Sequence, residues 1–273
     1  MRNDGMYYTI NDAAYWYELT GEGPTVVLLH GFTGSSATWE PFVENLAQEF
    51  QVLIVDLPGH GKTEMATGRS METCCSDLFA LFSMLELTDI RLIGYSMGGR
   101  TALSFAMLYP ELVKSLVLES TSPGLATESE RQARITRDEQ LAEKIEQEGV
   151  AKFVDFWEDI PLFQTQKNLP VEVRQKIRNE RLAQNKTGLA QSLRLMGTGA
   201  QMSWWDRLHD LSIPVLLLAG AKDDKFVKLN RRMEQLMENA HLVIAEQAGH
   251  AIHVEQADFF GKIVVEFLLT TSR

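Results

Sequence analysis

Ile90-Arg91-Leu92-Ile93-Gly94-Tyr95-Ser96-Met97-Gly98-Gly99-Arg100 reads as a buried strand that turns directly into a helix. Ile90 to Ile93 form a short apolar run, and Ala102, Leu103, Phe105 and Ala106 follow at helical spacing. Gly94 and Gly98 flank Ser96 two residues to either side. Without a Cβ at those positions the chain can turn sharply and hold the hydroxyl in the open, beside the first amides of the helix. A Gly-x-Ser-x-Gly pattern alone arises by chance in many chains. Here it stands in the strand-to-helix context its chemistry requires, which makes Ser96 the candidate reactive centre.

Working outward, short β-branched runs alternate with helix-period segments: Thr25 to Leu29, Val52 to Val55, Ile90 to Ile93 and Ser115 to Leu118. That alternation predicts a parallel sheet buried on both faces by crossover helices. Met6 to Ile10 and Ala14 to Leu19, joined at Asn11-Asp12, read as an amino-terminal antiparallel hairpin. The strand pattern resumes at Ile213 to Leu218 and His241 to Ile244, and an amphipathic helix from Ala257 to about Thr271 closes the chain. The expectation is an α/β fold with roughly eight strands. Between Thr121 and about Trp205 no strand is evident. Helical patterns cover Glu128 to Glu148, Phe153 to Trp157, Pro170 to Gln184 and Leu189 to Met196, bounded by Pro123-Gly124 and Ile213-Pro214. This predicts a core of residues 1–120 and 206–273 with a helical cap of residues 121–205.

The chain has 273 residues and a formal net charge of −11. Such a charge repels duplex nucleic acid and anionic membrane surfaces, so neither is an expected partner. No apolar run approaches the length of a membrane span, and the first residues lack a basic-then-apolar signal, so a cytoplasmic protein is expected. Cys74 and Cys75 are adjacent within a helical pattern and read as reduced packing residues. Asn185-Lys186-Thr187 reads as a helix-ending loop rather than a glycosylation site. Gly197-Thr198-Gly199 follows a helix and lacks a third glycine, so it is not a dinucleotide fingerprint.

A serine hydroxyl becomes reactive when a histidine takes its proton and a carboxylate orients that histidine. Gly220-Ala221-Lys222-Asp223 follows one late strand and Gln247-Ala248-Gly249-His250 the next. Ser96, Asp223 and His250 therefore form the candidate triad, with Asp224 the alternative carboxylate. His209 and His241 fall at surface-like element ends, and His253 points elsewhere. His30-Gly31-Phe32 follows the first parallel strand, where the Phe32 amide pairs with that of Met97 as an oxyanion hole. His30 reads as a support of that loop, and Asp56-Leu57-Pro58-Gly59-His60-Gly61 as a rigid turn near the site. Arg100 lies on a helix buried under the site, where an unpaired guanidinium is costly, so it requires an anion: an internal carboxylate or a ligand. Arg131, Arg134 and Arg137, with Arg174, Lys176, Arg178 and Arg181, gather positive charge between residues 130 and 195.

Taken in order, His30-Gly31-Phe32, Asp56 to Gly61, Gly94 to Gly99, Gly220 to Asp223 and Gly249-His250 resemble the α/β-hydrolase superfamily over almost the whole chain. One fold and triad serve esterases, thioesterases, carbon-carbon bond hydrolases and lyases. Narrower phrases are similar to one bacterial subfamily, the menaquinone-pathway lyases known as 2-succinyl-6-hydroxy-2,4-cyclohexadiene-1-carboxylate synthases. They are Gly94 to Arg100, Ser122-Pro123-Gly124-Leu125, Arg194 to Gln201 and Gly220 to Phe226. This resemblance implies that Arg100, Arg134 and Arg181 bind substrate carboxylates, with Tyr95 and Trp157 in the pocket; Arg178 or Arg194 are alternatives to Arg181. It implies elimination of pyruvate from a small polycarboxylate by the triad acting as base, with no cofactor and no metal. A serine esterase, thioesterase or carbon-carbon hydrolase of the same fold acting on a small carboxylated substrate is the alternative enzyme. A non-catalytic ligand receptor is the alternative of another class, although a receptor has no need of an intact triad. Monomer and homo-oligomer are both compatible with the sequence.

Overall fold

A computed structural model describes residues 5–271. The strands are β1 (Met6–Ile10), β2 (Ala13–Thr20), β3 (Thr25–Leu29), β4 (Gln51–Val55), β5 (Glu64–Met65), β6 (Ile90–Tyr95), β7 (Val113–Glu119), β8 (Val215–Gly220) and β9 (Ala240–Ala245). They form one sheet in the order β1-β2-β4-β3-β6-β7-β8-β9, with β5 paired to β2. β1 and β2 are antiparallel, as the hairpin pattern predicts, and β3 onward along the main path is parallel. The sequence reading lacked only β5, two residues too short to show a period.

The helices are α1 (Glu40–Leu46), α2 (Met71–Met84), α3 (Met97–Leu108), α4 (Glu128–Glu148), α5 (Val150–Glu158), α6 (Val171–Leu182), α7 (Lys186–Met196), α8 (Asp224–Leu236), α9 (Ile252–Glu255) and α10 (Ala257–Thr270). Strand alternation sorts the core into two layers. Val27, Leu29, Leu53, Leu92, Leu116 and Leu217 pack with residues of α2, α3 and α8. Val26, Leu28, Val52, Ile54, Val117 and Leu218 face the opposite way, toward α1 and α10.

Between β7 and β8 the described chain holds α4 to α7 and two 3-10 turns, Pro161–Asn168 and Trp205–Asp210, but no strand. Ala142, Ile145, Phe153, Val154, Leu189 and Leu193 give this helical segment its own apolar cluster. Thr127 starts α4 with a capping box to Glu130. Asn185 does not end a helix, as its sequence context suggests. Its side chain accepts from the Thr187 and Gly188 amides and caps the start of α7. Cys74 and Cys75 are free and fully buried in α2.

In such a sheet the carboxyl ends of parallel strands open onto a common edge, and β3 and β6 are neighbours there while their connections leave in opposite directions. The loops after β3, β6, β7, β8 and β9 therefore converge beneath the helical segment.

Candidate active site

Ser96 sits where β6 becomes α3, with φ 51° and ψ −104°, a left-handed strain that a serine adopts only when its surroundings impose it. Those surroundings are tight. A Cβ at Gly94 would overlap the Gly98 backbone, and one at Gly98 would overlap the Leu29 carbonyl of the adjacent strand. The Ser96 amide donates to the Glu119 carbonyl at 2.9 Å, tying the elbow to the end of β7.

The loop after β9 brings His250 Nε2 to 3.1 Å from Ser96 Oγ, and the turn after β8 brings Asp223 Oδ2 to 2.7 Å from His250 Nδ1. Asp223 also accepts the Phe226 amide as the N-cap of α8. Asp224 is the first residue of that helix and points to solvent, so the structure resolves the choice of carboxylate geometrically. Tyr95, Phe163 and Phe226 surround the His250 ring with centroids 4.7 to 6.2 Å away. His209 and His241 are exposed.

Met97 opens α3, so its amide has no carbonyl one turn earlier to bond and points beside Ser96. Phe32, on the loop after β3, lines the same cavity as Ser96 and Met97. His30 supports that loop as a neutral ring: Nδ1–H donates to the Gly31 carbonyl at 2.8 Å, and Nε2 accepts the Leu57 amide at 2.9 Å. Burial pushes its pKa down to about 4. The Asp56 to Gly61 turn is largely buried and tied down by hydrogen bonds. Asp56 accepts the Ser36 and Lys62 amides, and buried His60 is lowered to about 3 by desolvation and by neighbouring His30.

Above the triad is a cavity of about 690 Å³ lined by Phe32, Tyr95, Ser96, Met97, Arg100, Arg134, Trp157 and His250, among others. Arg100 is buried in its wall. Its Nη1 donates to the Met196 carbonyl at 2.7 Å and to Gln201 Oε1. Both acceptors are neutral, and among the described residues no carboxylate forms an ion pair with it. Desolvation, and then repulsion from Arg134, lower its pKa to about 9, partly opposed by Asp138. Arg134 spends Nε on Asp138 Oδ1 at 2.8 Å, while Asp138 Oδ2 is buried without a partner. Trp157 packs edge-on to Phe32, and its buried indole N–H also has no partner.

Arg181 is not in this cavity. It lines an adjoining space of about 400 Å³ that shares Phe32, Tyr95 and Phe163 with the first. There it bonds Gln166 at 3.1 Å, pairs with Glu158 at 3.6 Å and lies 4.7 Å over the Phe163 ring, its pKa lowered by burial. The alternatives are engaged elsewhere: Arg178 with Asp155 and Glu158, Arg194 with Glu139 and Glu146.

The place of several neighbours in the site was not evident from sequence, Arg137 of the basic cluster included. Arg137, Lys225 and Arg232 also line the catalytic cavity. Buried Glu119 binds the amide and ring Nδ1 of His253, so His253 does point away from Ser96, into a carboxylate of its own. Glu180 of α6 accepts from the Ser35 amide, Ser35 Oγ and Thr38 Oγ1, fastening α6 to the loop that carries Phe32. No local pattern announces these pairs, because the partners lie far apart in the chain.

A family model described as the alpha/beta hydrolase fold matches residues 24–257. The chain is 46% identical over 267 residues to a putative 2-succinyl-6-hydroxy-2,4-cyclohexadiene-1-carboxylate synthase of Bacillus subtilis (strain 168), covering 95% of this chain and 97% of that one. The structure of MenH from S. aureus superposes with a TM-score of 0.91 at 35% identity, over 94% of this chain and 99% of that one. A thermophilic esterase from Thermogutta terrifontis, solved with malate bound, reaches a TM-score of 0.84 at 29% identity, over 99% of each chain. Matched by the family model over most of its length and 46% identical to a curated relative over 95% of it, the chain belongs to the α/β-hydrolase family and, within it, to the 2-succinyl-6-hydroxy-2,4-cyclohexadiene-1-carboxylate synthases.

Proposed function

We propose that the protein eliminates pyruvate from 2-succinyl-5-enolpyruvyl-6-hydroxy-3-cyclohexene-1-carboxylate to give 2-succinyl-6-hydroxy-2,4-cyclohexadiene-1-carboxylate, a step of menaquinone biosynthesis. The observation that carries this reading is Arg100, a buried guanidinium facing the same cavity as Ser96 with only neutral acceptors of its own. A hydrolase of neutral esters has no use for such a cation, whereas a substrate with three carboxylates supplies its counter-charge. Arg134, from α4 of the helical segment, lines the same cavity, and Tyr95 and Trp157 shape it. Arg181 is a binding residue in this proposal only for a group that reaches past Phe32 and Tyr95 into the adjoining cavity.

Chemically, His250 takes the Ser96 proton while Asp223 holds its Nδ1–H. The Ser96 alkoxide then removes the ring proton α to the succinyl ketone. Charge develops on the ketone oxygen, and in this reading the Phe32 and Met97 amides receive it. The electron pair moves through the ring double bond and breaks the carbon-oxygen bond to the leaving group. Enolpyruvate departs, takes up a proton and tautomerises to pyruvate. No acyl-enzyme forms, and the chemistry calls for no cofactor. The proposal includes a cytoplasmic setting; among the described residues no helix is long and apolar enough to cross a membrane.

Supplying the enolpyruvyl substrate and following pyruvate release, beside a panel of p-nitrophenyl esters, tests the reading. Pyruvate release is expected to dominate and to fall by at least about a thousandfold in Ser96→Ala. Rapid ester turnover without pyruvate release overturns it in favour of an esterase.

A further inference from the structure

The peptide that carries His250 is gripped from two directions. From the core, Glu119 binds the amide and Nδ1 of His253, three residues on. From above, the 3-10 turn Pro161–Asn168, part of the helical segment, rests directly on it. A Cβ at Gly249 would overlap Thr165 Oγ1, so the two chains are in contact at the residue before the histidine. Glu255 closes this contact into a ring. Its Oε2 accepts the Gly249 amide at 2.8 Å, and its Oε1 accepts Thr165 Oγ1 at 3.0 Å and the Ala251 amide at 3.5 Å. One carboxylate thus holds the residues on both sides of His250 and, through Thr165, the segment that roofs the cavity.

We infer that Glu255 and Thr165 are positioning residues, through which the helical segment sets the placement of the His250 imidazole between Asp223 and Ser96. This rests on the reading of His250 as the base. The physical ground is the short reach of proton transfer: hydrogen bonds of 2.7 Å and 3.1 Å tolerate little displacement of the backbone that carries the ring. Glu255 alone could serve as a local brace, since its two amide contacts lie within seven residues. Thr165 cannot. It lies about ninety positions away, and its hydroxyl contributes nothing to the fold of that loop except this bond. Pyruvate elimination passes the proton through His250, so a ring displaced from Ser96 lowers the rate of the chemical step and leaves carboxylate binding unchanged.

The test uses the full chain with Thr165→Val, Thr165→Ser and Glu255→Gln. The first readout needs no substrate: the downfield proton resonance of the His250 Nδ1–H···Asp223 bond, which Ser96→Ala should retain. Thr165→Val is expected to shift or broaden that resonance and lower kcat about tenfold, with KM within about twofold and an unchanged melting temperature. Thr165→Ser restores both signals. Glu255→Gln shows at least the loss of Thr165→Val, and the double variant is no worse than Glu255→Gln, because the two residues act in one chain of contacts. A Thr165→Val protein with the wild-type resonance and kcat overturns the inference and leaves Glu255 a local brace. If the wild type releases no pyruvate, the lyase reading fails while the resonance comparison still decides this one.

Discussion

Arg100 shows how a single side chain can fix the meaning of a common motif. Its guanidinium is desolvated by burial and repelled by Arg134, which disfavours its charge, and its only partners are two neutral oxygens. A guanidinium stays charged even here, so the cost of its burial is met by pairing with a substrate carboxylate rather than by losing its proton. Arg100→Ala should cost about 2 to 5 kcal/mol in kcat/KM at neutral pH, measured by steady-state pyruvate release. The requirement of Arg100 for an anion was legible in the sequence, because a cation on a helix packed beneath a serine elbow has few structural uses. That its internal partners are a carbonyl and Gln201 was not. Nor was Asp138 with its unpartnered oxygen, since both depend on how α4 and α7 settle over α3. The triad was legible because each member follows a strand and glycines mark the turns.

Among the elements, α6 and the Pro161–Asn168 turn hold the roof to the two loops that matter most. Glu180 of α6 takes three hydrogen bonds from Ser35 and Thr38, next to the loop that presents the Phe32 amide. Hydrogen bonds to a charged acceptor contribute about 1.5 to 3 kcal/mol each when buried, less at a half-exposed site. Glu180→Ala should therefore raise hydrogen exchange in residues 171–182 and lower kcat, with little effect on exchange in β3 and β6. The long helices α4, α6 and α7 could be read from their periods, although Asn185, which caps α7, could not be told from the end of α6. The 3-10 turn and the four-residue α9 could not, because neither is long enough to establish a period. Both form where packing around His250 demands them. Arg181 lines a space that adjoins the catalytic cavity across Phe32, Tyr95 and Phe163, a placement that its residue type and helix do not announce.

At the scale of the molecule, acid is the expected weakness. His30 and His60 are fully buried and neutral, with pKa values lowered to about 4 and about 3. In the unfolded chain both titrate near the ordinary value of about 6.5. The unfolded state thus binds more protons between those limits, and stability falls as pH drops below about 6.5 until the folded values are reached. The linked loss is on the order of 3 to 5 kcal/mol per ring. Asp56, whose pKa burial raises, offsets part of it. Urea midpoints measured from pH 7 to pH 4 should fall steadily, and the slope should flatten in His60→Gln. The doubly covered sheet was legible from alternating apolar runs because burial on both faces leaves a continuous signature. The relation of roof to core was not, since it is made by isolated polar contacts. That relation gives the arginines a further meaning. Arg100 belongs to the core and Arg134 to the roof, so one molecule whose carboxylates reach both becomes a crosspiece joining the two halves of its own container. An uncharged ester can occupy the same space but cannot bolt it shut, and discrimination between the two then resides in the grip on the roof rather than in the reactivity of the serine.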